Sequence, residues 1–149
     1  MSDIKLYNGE CLEVMSGIDE SSVDLILCDL PYGTTDRTGG DRLLKWDTVI
    51  PLDKLWSEYK RILKPKGAVV LTSDQPFTSQ LIMSNIDWFK YEWIWKKKKT
   101  TGFLLANHRP MKQTEDVVVF SPAGASGASF KSGNSMTYNP QGLIEKKVV

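Results

Sequence analysis

The chain has 149 residues, of which 41% are hydrophobic and 25% charged, and its formal net charge is +1. This length and composition predict one globular domain that buries its own core, and the near-zero charge excludes a strongly basic nucleic-acid-binding chain. The sequence has no signal-peptide pattern and no apolar run of about 18 residues that would span a membrane, so we expect a cytoplasmic protein. With Cys11, Cys28 and His108 as its only cysteines and histidine, it offers neither a disulfide framework nor a recognisable metal site.

The first predicted elements are a short strand and a brief helix. The strand is Ile4-Lys5-Leu6-Tyr7, and Asn8-Gly9 closes it. Leu12, Met15 and Ile18 then recur at helical spacing, which indicates a short amphipathic helix.

A second strand is predicted to end at the most informative position of the chain. Residues 23–28 form a largely apolar run, which is followed by Asp29-Leu30-Pro31-Tyr32 and Gly33. A run of this length bounded by Pro and Gly predicts a buried strand. Ligands bind beyond the carboxyl ends of strands in open α/β sheets, so this tetrad is a candidate binding site. The polar residues 34–46 beside it predict a mobile lid or a substrate-binding loop.

The middle of the chain predicts alternating helices and strands. The clearest helix starts at Pro51, carries one apolar face and is stopped by Pro65 and Gly67. A buried strand over residues 68–72 follows it, and Gln75-Pro76-Phe77 opens another helix. The alternation predicts an α/β sheet.

Two further strands and a connector are predicted towards the end. Tyr91, Trp93 and Trp95 alternate with Glu92, Ile94 and Lys96, which is the period of a strand. Core packing of the two tryptophans is favoured over base stacking, and residues 117–120 form the last strand. Residues 123–129 are small and polar, so we expect a flexible connector after Pro122.

Positive charge is clustered in one stretch. The cluster comprises Lys96, Lys97, Lys98 and Lys99, with Arg109 shortly after them. Basic residues beside aromatic ones suit contact with nucleic-acid phosphates. The alternative interpretation is a solvated strand end whose lysines discourage edge pairing.

The tetrad has the groups needed to hold a planar amino group. The lone pair of an exocyclic amino nitrogen is delocalised into its ring, and two acceptors for its two N–H bonds would localise it. Asp29 offers a carboxylate, and the Leu30 carbonyl is available because the strand ends there. Pro31 holds the turn rigid, while Tyr32 can stack on a flipped base.

Asp29-Leu30-Pro31-Tyr32 resembles the Asp-Pro-Pro-Tyr signature of S-adenosylmethionine-dependent amino methyltransferases that act on DNA. Other blocks are similar, in order, to the β-type adenine-N6 subgroup between about residues 4 and 142. These blocks are residues 8–15, Lys45-Trp46-Asp47, residues 51–67, residues 73–79, residues 89–95 and Tyr138-Asn139-Pro140-Gln141.

The resemblance implies a site and a mode of action. Asp29, Leu30, Pro31 and Tyr32 would be the catalytic tetrad, with Asp29 also facing the methyl donor. Trp46 and Asp47 would close the far side of the pocket. Gln75, Pro76 and Phe77 would line the S-adenosylmethionine site, and the lysine cluster with Arg109 would contact double-stranded DNA.

Two departures from the family pattern affect these expectations. Leu30 replaces the first proline, although its backbone carbonyl is the same acceptor. The cofactor loop Asp/Phe-x-Gly-x-Gly is missing from the sequence. We therefore expect a partial doubly wound, Rossmann-like sheet that lacks the C-terminal cofactor-loop strands. Residues 1–121 would form the catalytic half, and residues 122–149 the connector and the start of the target-recognition region.

Three functions are compatible with these patterns. The first is a DNA adenine-N6 methyltransferase, present as a truncated or split chain with an incomplete S-adenosylmethionine site. The second is an inactive fragment that binds DNA or pairs with a complementing C-terminal half or with itself, because a missing half-sheet exposes an edge. The third changes the methyl acceptor to the N4 amino group of cytosine or to the side-chain amide of glutamine, although Asp29 favours adenine.

Overall fold

The computed structural model describes residues 3–33 and 47–142, so the predicted loop at 34–46, with Trp46, lies outside the described residues. Within those ranges helices and strands alternate as the sequence predicts. The elements are α1 (Cys11–Ser16), β1 (Val23–Asp29), α2 (Leu52–Ile62), β2 (Leu63–Ser73), α3 (Phe77–Ser84), β3 (Phe89–Thr101), β4 (Lys112–Phe120) and α4 (Gly127–Lys131), with a 3-10 turn at Phe103–Leu105.

The strands form one sheet in the order β1-β2-β4-β3. β1 and β2 are parallel, whereas β4 is antiparallel to both β2 and β3. β1, β2 and β3 therefore run in the same direction, and their carboxyl ends lie at one side of the sheet, the carboxyl edge. Beyond the register Ser73–Asp116–Ile94, β3 and β4 continue without β2 as a two-stranded arm, the β3–β4 arm.

The main core lies between the three first helices and one face of the sheet, the helix face. α2 places Leu55, Trp56 and Tyr59 on this face, where they pack on Val69 and Leu71 of β2. α3 adds Phe77 and Leu81, while α1 contributes partly buried side chains. The helical spacing of the apolar residues in α2 is thus confirmed as a buried stripe.

The opposite, outer face of the sheet is covered by residues that the sequence predicts to be a flexible connector. Ala123 and Met136 are buried against Val119 and Val70. α4 lies between them in sequence, and Ser126 caps its amino end by accepting from the Ser129 N–H. The prediction that this stretch is too small and polar to pack is therefore wrong for these residues, because the apolar outer face supplies a packing surface. The division of the chain at residue 122 stays a prediction.

Two predictions about strands are also corrected. The segment Ile4-Lys5-Leu6-Tyr7 has no strand in the described structure, because it pairs with no sheet edge and its apolar side chains are exposed. β1 ends at Asp29 as predicted, but it is an edge strand rather than a buried one. Leu25 and Leu27 on its outer face are 55% and 69% exposed.

The remaining differences concern boundaries and tryptophans. α2 ends at Ile62, and β2 begins at Leu63, so Pro65 and Gly67 lie within a strand instead of stopping the helix. Trp93 and Trp95 are each 52% exposed on the edge strand β3, so the core packing that the sequence favours covers only about half of each side chain. Within the described ranges, no helix is long and apolar enough to cross a membrane.

Candidate functional site

The tetrad stands where the ladder between β1 and β2 stops. Asp29 is the last residue of β1 and is the register partner of Thr72 in β2. Leu30 is the first residue outside the ladder, so its carbonyl has no place in the β1–β2 pairing. Its side chain is buried in the core of the helix face, which gives a packing role to the leucine that replaces the family's proline.

The Asp29 carboxylate is held through one of its two oxygens. The Tyr32 hydroxyl donates to Asp29 Oδ1 at 2.7 Å, and the Thr72 hydroxyl donates to the same oxygen. The Tyr32 hydroxyl also lies 2.9 Å from Thr72 Oγ1. Among the described residues, no hydrogen bond reaches Asp29 Oδ2. The exposed carboxylate thus presents one unused acceptor beside the Leu30 carbonyl.

Tyr32 is fixed by its ring as well as by its hydroxyl. The ring stacks on Phe77 with centroids 5.5 Å apart and an interplanar angle of 22°. Burial raises the pKa of the Tyr32 hydroxyl, and the hydrogen bond and charge of Asp29 raise it further. The phenol therefore stays protonated near neutral pH and can donate to the carboxylate.

Gly33 turns the chain away from the tetrad and is secured by Asp47. The Gly33 N–H donates to Asp47 Oδ1 at 3.0 Å, and Asp47 is buried. The structure therefore brings Asp47 against the turn after the tetrad, whereas its predicted neighbour Trp46 is outside the described residues.

The three residues predicted to line the methyl-donor site differ in exposure. Gln75 and Pro76 are exposed just after the carboxyl end of β2. Phe77 is 1% exposed and lies under the Tyr32 ring. Phe77 thus contacts the tetrad directly, while Gln75 and Pro76 present the accessible surface.

The predicted basic cluster lies on the β3–β4 arm at the same carboxyl edge. Lys97 forms an ion pair with Glu115 and lies over the Trp95 ring, 5.6 Å from its centroid. Lys96, Lys98, Lys99 and Arg109 take part in none of the ion pairs found among the described residues.

Arg109 lines a groove of about 510 Å³ between the arm and the end of β2. Asp74, Gln75 and Lys112 also line this groove, and Lys112 pairs with Asp74. The predicted basic residues are therefore brought to the same edge as the tetrad, but they do not converge on one point.

Sequence reasoning missed the role of Thr72. This residue is 43 positions from Asp29 along the chain and appears only as the end of an apolar strand. The sequence does show a hydroxyl residue at the carboxyl end of the next predicted strand. Its contact with Asp29 can be inferred only when the register between β1 and β2 is known.

Comparisons with known proteins point to one family. The N6/N4 DNA methylase family profile matches residues 23–147. The type II methyltransferase M.HinfI of Haemophilus influenzae is 35% identical over an alignment of 111 positions, which covers 62% of this chain and 31% of that protein. M.BamHI of Bacillus amyloliquefaciens is 33% identical over an alignment of 75 positions, which covers 45% of this chain and 16% of that protein.

Two solved structures share the fold. The cytosine-N4-specific PvuII DNA methyltransferase superposes with a TM-score of 0.55 at 17% identity, over 78% of this chain and 48% of that one. TTHA0409 of Thermus thermophilus, solved in complex with S-adenosyl-L-methionine, superposes with a TM-score of 0.51 at 22% identity. The superposition covers 79% of this chain and 55% of that one. The chain thus spans about half the length of these structures and less than a third of the curated relatives it matches. With a family profile that covers most of its residues and the expected Rossmann-like fold, the chain belongs to the N6/N4 DNA methylase family.

Proposed function

We propose that the chain carries the target-base side of a DNA adenine-N6 methyltransferase. The observation that carries this proposal is the pair of acceptors at the end of β1, Asp29 Oδ2 and the Leu30 carbonyl. The two N–H groups of a flipped adenine amino group can be shared between them, so that the nitrogen lone pair is localised on nitrogen. The Tyr32 ring provides the apolar wall on which the base stacks.

S-adenosylmethionine, when bound, supplies an electrophilic methyl group on a positively charged sulfur. The described residues fit one side of such a ligand, because the Asp29 carboxylate is exposed and attracts a cation, while Gln75 and Pro76 are exposed just after the carboxyl end of the neighbouring strand β2. The Asp29 carboxylate can also accept the proton that the amino nitrogen loses. Contacts to the rest of the donor are expected from the cofactor loop, whose motif this sequence lacks.

Double-stranded DNA is the proposed substrate, and the β3–β4 arm is its proposed contact. Lys96, Lys98 and Lys99 project from the arm without ion-pair partners among the described residues, at the edge that bears the tetrad. Positive side chains in this position can neutralise phosphates on either side of a flipped base.

The proposal is tested in cells that carry the gene, so that any natural partner is present. The Asp29 codon is changed to give Asp29→Ala at the gene's own locus, and methylated nucleosides from digested genomic DNA are measured by mass spectrometry. We expect N6-methyladenine to fall to the level of a gene deletion, because the variant removes the carboxylate acceptor. Lys64→Ala, at the opposite end of β2, is the matched control and should leave the level unchanged.

The same measurement separates the possible target bases. If Asp29→Ala lowered N4-methylcytosine and left N6-methyladenine unchanged, the target base would be cytosine and not adenine. If Asp29→Ala altered neither nucleoside while deletion of the gene did, the tetrad would not be the site of the chemistry.

A further inference from the structure

We propose that Thr72 is a positioning residue that sets the direction of the Asp29 carboxylate, an inference that rests on the proposed function of the tetrad. Thr72 and Asp29 are register partners on adjacent parallel strands, and their side chains lie on the same face of the sheet. The Thr72 hydroxyl donates to Asp29 Oδ1, the oxygen that also accepts from Tyr32.

The contact matters because an exposed carboxylate at the end of an edge strand is otherwise held weakly. Within the described residues Asp29 has no strand neighbour on its open side, since β1 is the first strand of the sheet. Two hydroxyl donors on Oδ1 restrain the carboxylate plane and leave Oδ2 as the oxygen that accepts no hydrogen bond from the described residues. A hydrogen bond to an ionised group is stronger than one between neutral groups, so this restraint is a substantial one.

Thr72 also supports Tyr32, which reaches the same carboxylate from the other side of the turn. The Tyr32 hydroxyl is 2.9 Å from Thr72 Oγ1, and its ring is stacked on the buried Phe77. The Asp29 carboxylate and the hydroxyls of Tyr32 and Thr72 are therefore all within hydrogen-bond distance of one another. Of the three residues, Thr72 is the one that lies in a central strand. The backbone of β2 is paired on both sides, so it is a firm base for the contact.

The test compares Thr72→Val with Thr72→Ser. Valine keeps the branched shape of threonine beside Val117, its neighbour in β4, but removes the hydroxyl, whereas serine retains it. The first measurement is the side-chain rotamer distribution of Asp29, taken by NMR from three-bond couplings. We expect one dominant χ1 rotamer in the wild type and Thr72→Ser, and averaging over rotamers in Thr72→Val.

The second measurement is methyl transfer to DNA by protein purified from its own host, so that bound partners are retained. We expect kcat of Thr72→Val to fall about tenfold, the order expected for one lost hydrogen bond to a charged group, with KM for DNA within about twofold. Thr72→Ser should restore most of kcat. We expect kcat to fall while KM for DNA is nearly unchanged because Thr72 acts on the orientation of Asp29 and not on binding of DNA.

The inference is overturned if Asp29 keeps a single rotamer in Thr72→Val, if kcat is unchanged, or if serine restores neither property. Failure of the proposed function gives a different pattern. Activity would then survive Asp29→Ala, while the rotamer measurement would still report whether Thr72 restrains the carboxylate.

Discussion

Gly33 is the residue at which the turn after the tetrad depends most directly on backbone conformation. Its φ is +65°, and an added Cβ would lie 2.7 Å from Val49 Cγ2. Its N–H is also committed to the buried Asp47. Glycine is therefore required here for both conformation and space, and the position of Tyr32 follows from it.

We predict that Gly33→Ala destabilises the protein by about 1–3 kcal/mol, the usual cost of a left-handed conformation in a residue with a side chain. Gly127→Ala is the control, because its added Cβ meets nothing within 4 Å and its φ is ordinary. Urea unfolding followed by tryptophan fluorescence measures both free energies of unfolding. Equal stability of the two variants would contradict the strain assigned to Gly33.

The tetrad could be predicted from sequence because every feature that marks it is local. An acid, a proline, an aromatic ring and a glycine directly follow an apolar run, and each has a meaning at the end of a strand. The contacts of Asp29 with Thr72 and of Tyr32 with Phe77 could not be predicted in this way. They depend on the register of β1 and β2 and on where α3 begins, which are set by tertiary packing.

At the scale of elements, the β3–β4 arm gives the lysine cluster its position. The arm extends past the end of β2, so Trp95 and Lys96 pair with β4 and, among the described strands, with no other. This explains why Trp95 is half exposed and why Lys97 is drawn to Glu115 on the neighbouring strand. The sequence predicts both the strand and the positive charge, but not that they project from the sheet.

We predict that Lys98→Ala and Lys99→Ala weaken DNA binding and lower its salt dependence. Each lysine that contacts a phosphate contributes about one unit to the slope of log affinity against log salt concentration. Fluorescence anisotropy of labelled duplex DNA at several salt concentrations measures this slope. We expect each variant to reduce it by about one, with little change in sequence preference.

Lys64→Ala provides the comparison for these variants. Lys64 is paired with Asp24 near the start of β2, away from the carboxyl edge. Its removal should leave the slope unchanged. If substitution of each of the three lysines lowered the slope equally, the effect would come from overall charge. The arm would then not be the DNA-binding surface.

Helices were better predicted than strand environments, for a physical reason. The face that α2 buries is encoded by its own spacing, so Leu55, Trp56 and Tyr59 could be assigned to the core from sequence. Whether a strand is central or at an edge depends on its partners. The apolar residues of β1 are compatible with burial on both faces, yet Leu25 and Leu27 are exposed because no further strand or helix covers them in the described structure.

At the scale of the whole molecule, the sheet is asymmetric. The helix face carries the main core, whereas the outer face has a smaller cluster in which Ala123 and Met136 pack on β2, β3 and β4. Among the described residues, the open side of β1 is an unpaired edge, and Leu25 and Leu27 are exposed on its outer face, a combination that favours association. Pairing with a complementing half or with a second copy, which the sequence patterns allow, stays a prediction.

The core of the helix face contains a titratable group that links stability to pH. Tyr59 is 4% exposed, and its ring meets Trp56 edge-on at 5.8 Å. Burial raises the pKa of its hydroxyl above the ordinary value of 10.0, and the neighbouring Cys28 raises it further. The folded state therefore keeps this proton at pH values where the unfolded chain has lost it.

It follows that the free energy of unfolding falls as pH rises above about 10, by up to about 1.4 kcal/mol per pH unit for this one group. Below pH 10 both states hold the proton, and Tyr59 adds no pH dependence. Tyr59→Phe keeps the ring and removes the ionisation, so we expect its stability to decline less steeply between pH 9 and 11. Urea titrations at fixed pH measure both curves, and lysine titration contributes equally to each. Parallel curves would show that the Tyr59 hydroxyl ionises in the folded protein as readily as in the unfolded chain.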